Sequence, residues 1–259
     1  EATAPVGSTY ARLCELAGPV DPDLHPRDLS EGQRLALVLG IQLGSDAPVV
    51  RAFLKILFPD DPPASIARKA LGVNVSDLAA KGARPRGILL TLALPDDWTE
   101  DWLAGFAAGL ADGLSEFGLD LLGGDTVRAA GPALIGVTAI GEVPAGGIVR
   151  RGTAQVGDRI CVSGTIGDAA LGLLLRRPNG PGWAGALDAA DHDALIDRYW
   201  HPRPRIGLAP VLRRYARAAM DVSDGLAGDL AKMLKGEGRS AAIDLARLPL
   251  SPAAARALA

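Results

Sequence analysis

The chain has 259 residues, 48% of them hydrophobic but only 4% aromatic, with a net charge of −3. That length allows one large domain or two modest ones around an aliphatic core. The slight negative charge argues against a surface that grips nucleic-acid phosphates. No apolar run reaches the length of about 18 residues that a membrane helix needs, and no basic stretch leads into an apolar one at the start, so neither a span nor a signal peptide is expected. Cys14 and Cys161 are far apart without metal-type spacing, and read as two buried thiols of a reducing cytoplasm. His25, His192 and His201 are scattered, which disfavours a His-rich metal site.

In chain order, residues 1–34 carry little pattern. Leu35–Leu39 suits a buried strand, followed by the turn-like Gly44-Ser45-Asp46. Asp60-Asp61-Pro62-Pro63 is a stop before Ala64–Pro85, which reads as one amphipathic helix, with Gly82 as a natural C-terminal cap. Ile66, Ala70 and Val73 recur at helical spacing and mark the expected buried side. Asp77 falls on that same side, where a lone carboxylate would need a cation, a metal or donors. A local cap or pair is the plainer reading of Asp77.

Gly87–Leu94 reads as a strand. Asp96–Thr99 offers N-caps for a helix through Trp102, Phe106, Leu110, Leu114 and Phe117, which Gly118 ends. Leu119–Leu122 is a short strand running into Gly123-Gly124-Asp125-Thr126. Two glycines there let the backbone turn or approach a ligand, and the acid sits where ligands gather in α/β sheets. An ordinary turn is the alternative. Pro132–Val143 is another strand, and Pro144–Gly147 the best boundary between domains, giving 1–147 and 148–259.

Arg150-Arg151 follows, a phosphate clamp or a solvated pair. Arg159–Ser163 reads as a strand, and Gly164–Asp168 as a glycine-rich turn into a helix over 169–175, a shape that can hold phosphate on helix N–H groups. It lacks the Gly-Lys-Ser/Thr of a Walker A loop. Helices are expected over 191–199 and 206–218. Asp221-Val222-Ser223-Asp224-Gly225 then marks a strand-to-helix junction before Leu226, Leu230, Met233 and Leu234. One capping residue would satisfy the helix start; two acids three apart point further, to a divalent cation. Ala241–Leu248 reads as a strand, before an Ala-rich helical tail.

Asp77, Asp125 and the pair Asp221 and Asp224 thus stand on separate stretches, Asp125 and Asp224 beside glycines. Oxygen ligands without His or Cys suit Mg²⁺, and such a set clamps nucleotide phosphates without a P-loop.

Five motifs carry a family resemblance: NVSDLAAKGARP (74–85), LLGGDTVR (121–128), RRGTAQVGD (150–158), SGTIGDAALGL (163–173) and DVSDGLAGDL (221–230). In order and spacing they resemble the thiamine-monophosphate kinase family. Its ATP-dependent superfamily includes aminoimidazole ribonucleotide synthetase, selenophosphate synthetase and a hydrogenase-maturation protein. The resemblance implies an α/β (α+β) fold of two domains: an N-terminal mixed-sheet domain that dimerises through its sheet, and a C-terminal α/β domain. It implies a cytoplasmic homodimer that moves the γ-phosphate of ATP to thiamine monophosphate, giving thiamine diphosphate, with Mg²⁺. Asp77, Asp125, Asp221 and Asp224 match metal ligands. Gly124, Asp125, Arg151 and Ser223 match nucleotide contacts. No side chain is needed as a base, because the attacking phosphate oxygen is already anionic.

The family's N-terminal Gly-Asp-Asp-Ala-Ala is replaced by GSDAPVV (44–50), leaving Asp46 as the matching metal ligand. Its Val-His-Phe reads Ile56-Leu57-Phe58, and its Gly-Glu-Asp-Tyr-Glu motif has no counterpart before residue 259. Two alternatives follow: a homologue that binds Mg-ATP without turnover, and another ATP-dependent enzyme of the superfamily.

Overall fold

The computed structural model describes residues 60–129, 131–178, 180–236 and 238–258. The expected strand at Leu35–Leu39, Cys14, His25 and the acid Asp46 lie outside them. By contact pattern the chain divides into two compact units. One takes in 1–61, 93–97 and 127–134; the other takes in 62–92, 98–126 and 135–259. In the first, Arg128 forms a two-pronged ion pair with Asp96, and the Ala129 N–H donates to the Leu94 carbonyl at 2.7 Å.

The architecture is mixed α/β. Helix α1 (Pro63–Ala80) starts with a proline in its first turn, where the missing N–H costs nothing. Its end is closed by Gly82 at φ 70°, with the Gly82 N–H on Ala79 O and the Ala83 N–H on Leu78 O, both at 3.0 Å. This pairing satisfies two of the helix's terminal carbonyls. Strand β1 (Arg84–Leu94) follows, then α2 (Glu100–Phe117). The Thr99 hydroxyl caps α2 by accepting from the Trp102 N–H at 3.1 Å, and left-handed Gly118 ends it. Strands β2 (Asp120–Arg128) and β3 (Leu134–Glu142) complete a sheet of order β2-β1-β3.

The sheet is mixed. Gly87 lies against Asp120 and Leu122, and Gly124 against Leu90, so β2 runs parallel to β1. Gly136 meets Thr91 and Gly141 meets Arg84, so β3 runs antiparallel. Helices α1 and α2 cover one face. Leu71, Val75, Ile88, Phe117 and Leu119 form the core there. Glycines set the helix spacing: a side chain on Gly109 would strike the backbone of Ala64, and one on Gly113 would strike Leu71.

Later elements are shorter: α3 (Asp168–Leu175), α4 (Ala189–Trp200), α5 (Ala209–Tyr215), α6 (Leu226–Lys235) and α7 (Pro252–Ala257). A part-buried polar strut ties α1 to the end of α4. Ser65 Oγ lies 3.0 Å from His201 Nε2, His201 Nδ1 lies 2.7 Å from Asp197, and Arg203 donates to Asp197 at 2.7 Å. No helix among the described residues is long and apolar enough to cross a membrane.

Several expectations are corrected. The helix expected over Ala64–Pro85 ends at Ala80, and Arg84 already opens β1. Of the face expected to be buried, Ile66 is buried and Ala70 half-buried, but Val73 is 46% exposed and Asp77 is exposed; the buried row runs through Ala67, Leu71, Val75 and Ala79. Gly123-Gly124-Asp125 lies inside β2 instead of following it. Residues 159–163, 218–220 and 241–248 form no strand; the last holds only a 3-10 turn at Leu245–Arg247. The helix expected over 206–218 is a 3-10 turn (Ile206–Leu208) and α5, which stops at Tyr215. Cys161 is exposed, not buried.

Candidate functional site

Three stretches distant in sequence meet at the C-terminal end of α1. The Lys81 carbonyl accepts from the Val149 N–H at 3.1 Å, and the Ala219 N–H donates to the Arg150 carbonyl at 3.1 Å. The Lys81 ammonium reaches the Ala219 carbonyl at 3.4 Å, and the Arg213 guanidinium donates to the carbonyl of Gly82. The loop 150–158 is wired in turn to Arg217. Arg217 bonds Asp158 at 3.0 Å and Gln155 at 2.9 Å, and its carbonyl accepts from the Thr153 hydroxyl. These bonds carry Asp77, Arg151 and Asp221 into one corner.

The electrostatics of the corner follow from that packing. Burial pushes the Asp221 carboxyl up, the charge of Asp77 pushes it further, and a hydrogen bond from the Ser76 side chain opposes both. Burial also lowers the Lys81 ammonium, Arg151 adds to the fall, and Asp77 and Asp221 pull the other way. A carboxylate whose ionised form is made costlier by burial and by a neighbouring acid is relieved by a divalent cation, and an all-oxygen donor set suits Mg²⁺. Asp77 and Asp221 therefore suit two of the ligands of such a metal.

The remaining candidates lie elsewhere on the elements around them. Asp229, in the first turn of α6, is buried and organises the loop before it. Its carboxylate accepts from the backbone N–H of Ser223 at 2.8 Å and of Asp224 at 2.9 Å, and Lys232 reaches it at 3.1 Å. Burial alone would raise Asp229, but the Asp224 N–H, Lys232 and the Ser223 N–H hold its carboxyl below the usual range. Asp224 is exposed and ion-paired to Lys232, and Ser223 is exposed. Neither caps α6, whose N-cap is Gly225 without a side-chain bond.

Asp125 is exposed on β2 and accepts from the N–H of Thr126 at 2.8 Å. Gly124 beside it has no room for a side chain, because a Cβ there would strike the backbone of Leu90. Among the described residues, no three His, Cys, Asp or Glu side chains gather closely enough to hold a metal ion. The structure brings Asp77 and Asp221 together with Arg151. It does not bring Asp125 or Asp224 into a three-acid group with them. Ser76, Lys81 and Asp229 were missed from sequence. Ser76 and Lys81 flank Asp77 at i−1 and i+4, and Asp229 lies four residues beyond Gly225, where a carboxylate favours a helix start.

Residues 40–143 match the family model for the N-terminal domain of AIR synthase related proteins. The thiamine-monophosphate kinase of Caulobacter vibrioides is 44% identical over 189 residues, which cover 73% of this chain and 51% of that protein. Among solved structures, the thiamine-monophosphate kinase of Stenotrophomonas maltophilia K279a superposes with a TM-score of 0.69 at 42% identity, over 76% of this chain and 62% of its own. AaThiL complexed with AMPPCP and TMP superposes with a TM-score of 0.66 at 31% identity, over 75% of this chain and 60% of its own. The chain spans about half the length of the Caulobacter relative and about three fifths of the two solved chains. Over some three quarters of its own length this chain is similar to thiamine-monophosphate kinases, and its residues 40–143 match the AIR synthase related N-terminal domain.

Proposed function

We propose that this chain carries the nucleotide- and metal-binding part of a thiamine-phosphate kinase, which phosphorylates thiamine monophosphate to thiamine diphosphate with Mg-ATP. The observation that carries the reading is the corner at the end of α1, where Asp77, Asp221 and Arg151 meet in a chain 44% identical to a named thiamine-monophosphate kinase. AaThiL was solved with AMPPCP and TMP, a ligand pair of the same kind.

In this reading a phosphate oxygen of thiamine monophosphate bonds to the γ-phosphorus of ATP. The bond from that phosphorus to the β,γ-bridging oxygen breaks, and ADP leaves with the electron pair. The attacking oxygen is already anionic, so no side chain removes a proton. Asp77 and Asp221 would hold Mg²⁺, with Asp46, Asp125 and Asp224 as the further ligands the sequence suggests. When bound, the metal neutralises charge on the phosphates. Arg151, Gly124 and Ser223 contact the nucleotide. Lys81, tied to Ala219, keeps α1 against the segment that presents Asp221.

The same reading includes a division at Pro144–Gly147 and a homodimer through the sheet. The first is supported by a tight turn after β3, where the Gly147 N–H donates to the Pro144 carbonyl at 2.8 Å. The second is supported by Leu89, Leu121 and Ile140, apolar and 42–50% exposed on the sheet. Light scattering should return a dimer mass that Leu89→Asp reduces to monomer; a monomeric wild type would remove this part.

The central test is Mg²⁺-dependent formation of thiamine diphosphate by the protein. Asp77→Asn should cut turnover by roughly two orders of magnitude or more, given how strongly preorganised electrostatics act on transferring groups. Its unfolding midpoint should barely move, because Asp77 is exposed. Unchanged turnover and Mg-ATP affinity in that variant would sink the metal assignment.

A further inference from the structure

A second concave site lies away from the α1 corner. A cavity of about 550 Å³ opens between the start of α3, the side of α4 and α7. That volume lies in the range of small-molecule sites, roughly 300–1,000 Å³. Its wall carries four guanidiniums, those of Arg198, Arg203, Arg205 and Arg256, against three carboxylates.

Each carboxylate is already engaged. Asp191 is held by a two-pronged bond from Arg256. Asp197 takes Arg203 and His201. Asp168, 5% exposed, accepts from the hydroxyls of Thr165 and of Ser251, the latter at 2.6 Å, with Arg198 3.8 Å away. Among the described residues no carboxylate pairs with Arg205, so the wall carries one positive charge in excess.

Arg205 is also seated. Its guanidinium lies against the backbone of Gly164, at φ 80°, where any side chain would overlap it. Burial lowers the Arg198 guanidinium, Arg203 and Arg205 lower it further, and Asp168 and Asp197 pull the other way; a bound anion would add to that relief. Planar forks with several N–H donors match a tetrahedral oxyanion, which can accept from more than one of them. A metal ion is disfavoured because the acids present are all consumed by internal partners.

We propose that this cavity binds a small phosphate-bearing anion, a phosphate monoester in size, through Arg205 and Arg198, independently of the nucleotide corner. The proposal does not rest on the kinase reading.

The test is calorimetric titration of the protein with inorganic phosphate and with glycerol phosphate, in Mg²⁺-free buffer. The expected result is saturable binding that Arg205→Ala weakens roughly tenfold or more, as loss of a charge-assisted contact should. Arg205→Lys should recover part of it, and Asp77→Asn should leave it unchanged. Gly164→Ala, which displaces the guanidinium, should weaken binding as Arg205→Ala does. Since Arg205 is exposed, its variants should keep the wild-type unfolding midpoint. Amide NMR shifts on titration should centre on Gly164 and Thr165. Absence of saturable binding, equal binding by Arg205→Ala, or loss of binding in Asp77→Asn would each overturn the proposal. The last result would place the anion in the nucleotide corner.

Discussion

The layer of α1, β1 and α2 and the stretch from Val149 to Ser251 are held together by different chemistry. In the layer, long elements bury aliphatic side chains, and glycines let backbones touch. In the later stretch, backbone without a sheet ladder is fixed by side chains that bond to it: Thr153 to the Arg217 carbonyl, Arg239 to the Ala154 carbonyl, Asp229 to two N–H groups. A hydrophobic layer tolerates polar substitutions on its surface but not a lost methyl group inside. A polar clamp behaves the other way round, because each clamped N–H or carbonyl is left unpaired when its partner goes. The candidate site is built where the two meet, with Asp77 from the layer and Asp221 from the clamped stretch.

The sharpest way to separate the regions is to damage one at a time. Leu71 is fully buried in the core. Leu71→Ala should cost about 2–5 kcal/mol, the range for a buried leucine whose cavity cannot fully collapse. Denaturant unfolding followed by far-UV circular dichroism would read it. A cost below about 1 kcal/mol would mean that the layer does not rely on this packing. Asp229→Ala should cost less, about 1–3 kcal/mol, from stranding the N–H groups of Ser223 and Asp224. Its mark is local: amide exchange should quicken at Ser223 and Asp224 while Leu71 and Ile88 keep their protection. Uniform loss of protection would show that the two regions unfold as one.

The same division explains what the sequence made legible. Helix α2 is readable from end to end, because its cap at Thr99, aliphatic spacing and Gly118 stop all agree. Helix α1 is legible at its start, but the expected helix overruns its end at Ala80, and its expected face fits at Ile66 and fails at Val73. Its faces are rich in Ala, Gly and Ser, so three apolar residues at helical spacing chose Val73 over Val75. The Gly123-Gly124 pair reads as a turn, yet Gly124 is needed for close approach to Leu90 within the sheet. At the site, Asp77, Asp221 and Arg151 were visible as charged residues at element ends. Ser76 and Lys81 were not, since on a helix surface they look like solvated side chains. Asp229 was hidden for a similar reason: its burial comes from backbone donors, which leave no trace in hydrophobic periodicity. The strands expected at 159–163 and 241–248 failed because an apolar run signals burial more reliably than it signals pairing.

Smaller effects sharpen the comparison at the boundary strut. Asp197 joins α4 to α1 through His201 and Ser65. Burial acts to raise its carboxyl, but the bonds from His201 and Arg203 outweigh it and hold the group below its usual range. A depressed carboxyl contributes stability that is fully present above its unfolded value, near about 3.9. That stability is lost as pH falls through the lower folded value. The acid limb of the stability curve should therefore be shallower in Asp197→Asn, with the difference confined to pH below about 5. Parallel acid limbs would show that the strut adds nothing in that window. In the layer, Thr99→Ala should cost about 1 kcal/mol, as loss of a helix cap does.

The smallest expected change is at the cross-strand pair of Arg86 and Glu142, 2.5 Å apart on β1 and β3 with both side chains about half exposed. The hydrogen bond to Glu142 raises the Arg86 guanidinium, and that from Arg86 lowers the Glu142 carboxyl. Both shifts describe charges that water and salt screen well. Arg86→Ala should leave the unfolding midpoint within error at physiological ionic strength, and added salt should change neither protein relative to the other. A measurable drop that disappears at high salt would show that the sheet edge relies on charge pairing. It would also move β1 and β3 toward the polar mode of construction seen after Val149, where short ionic contacts, not buried area, decide which backbone stays in place.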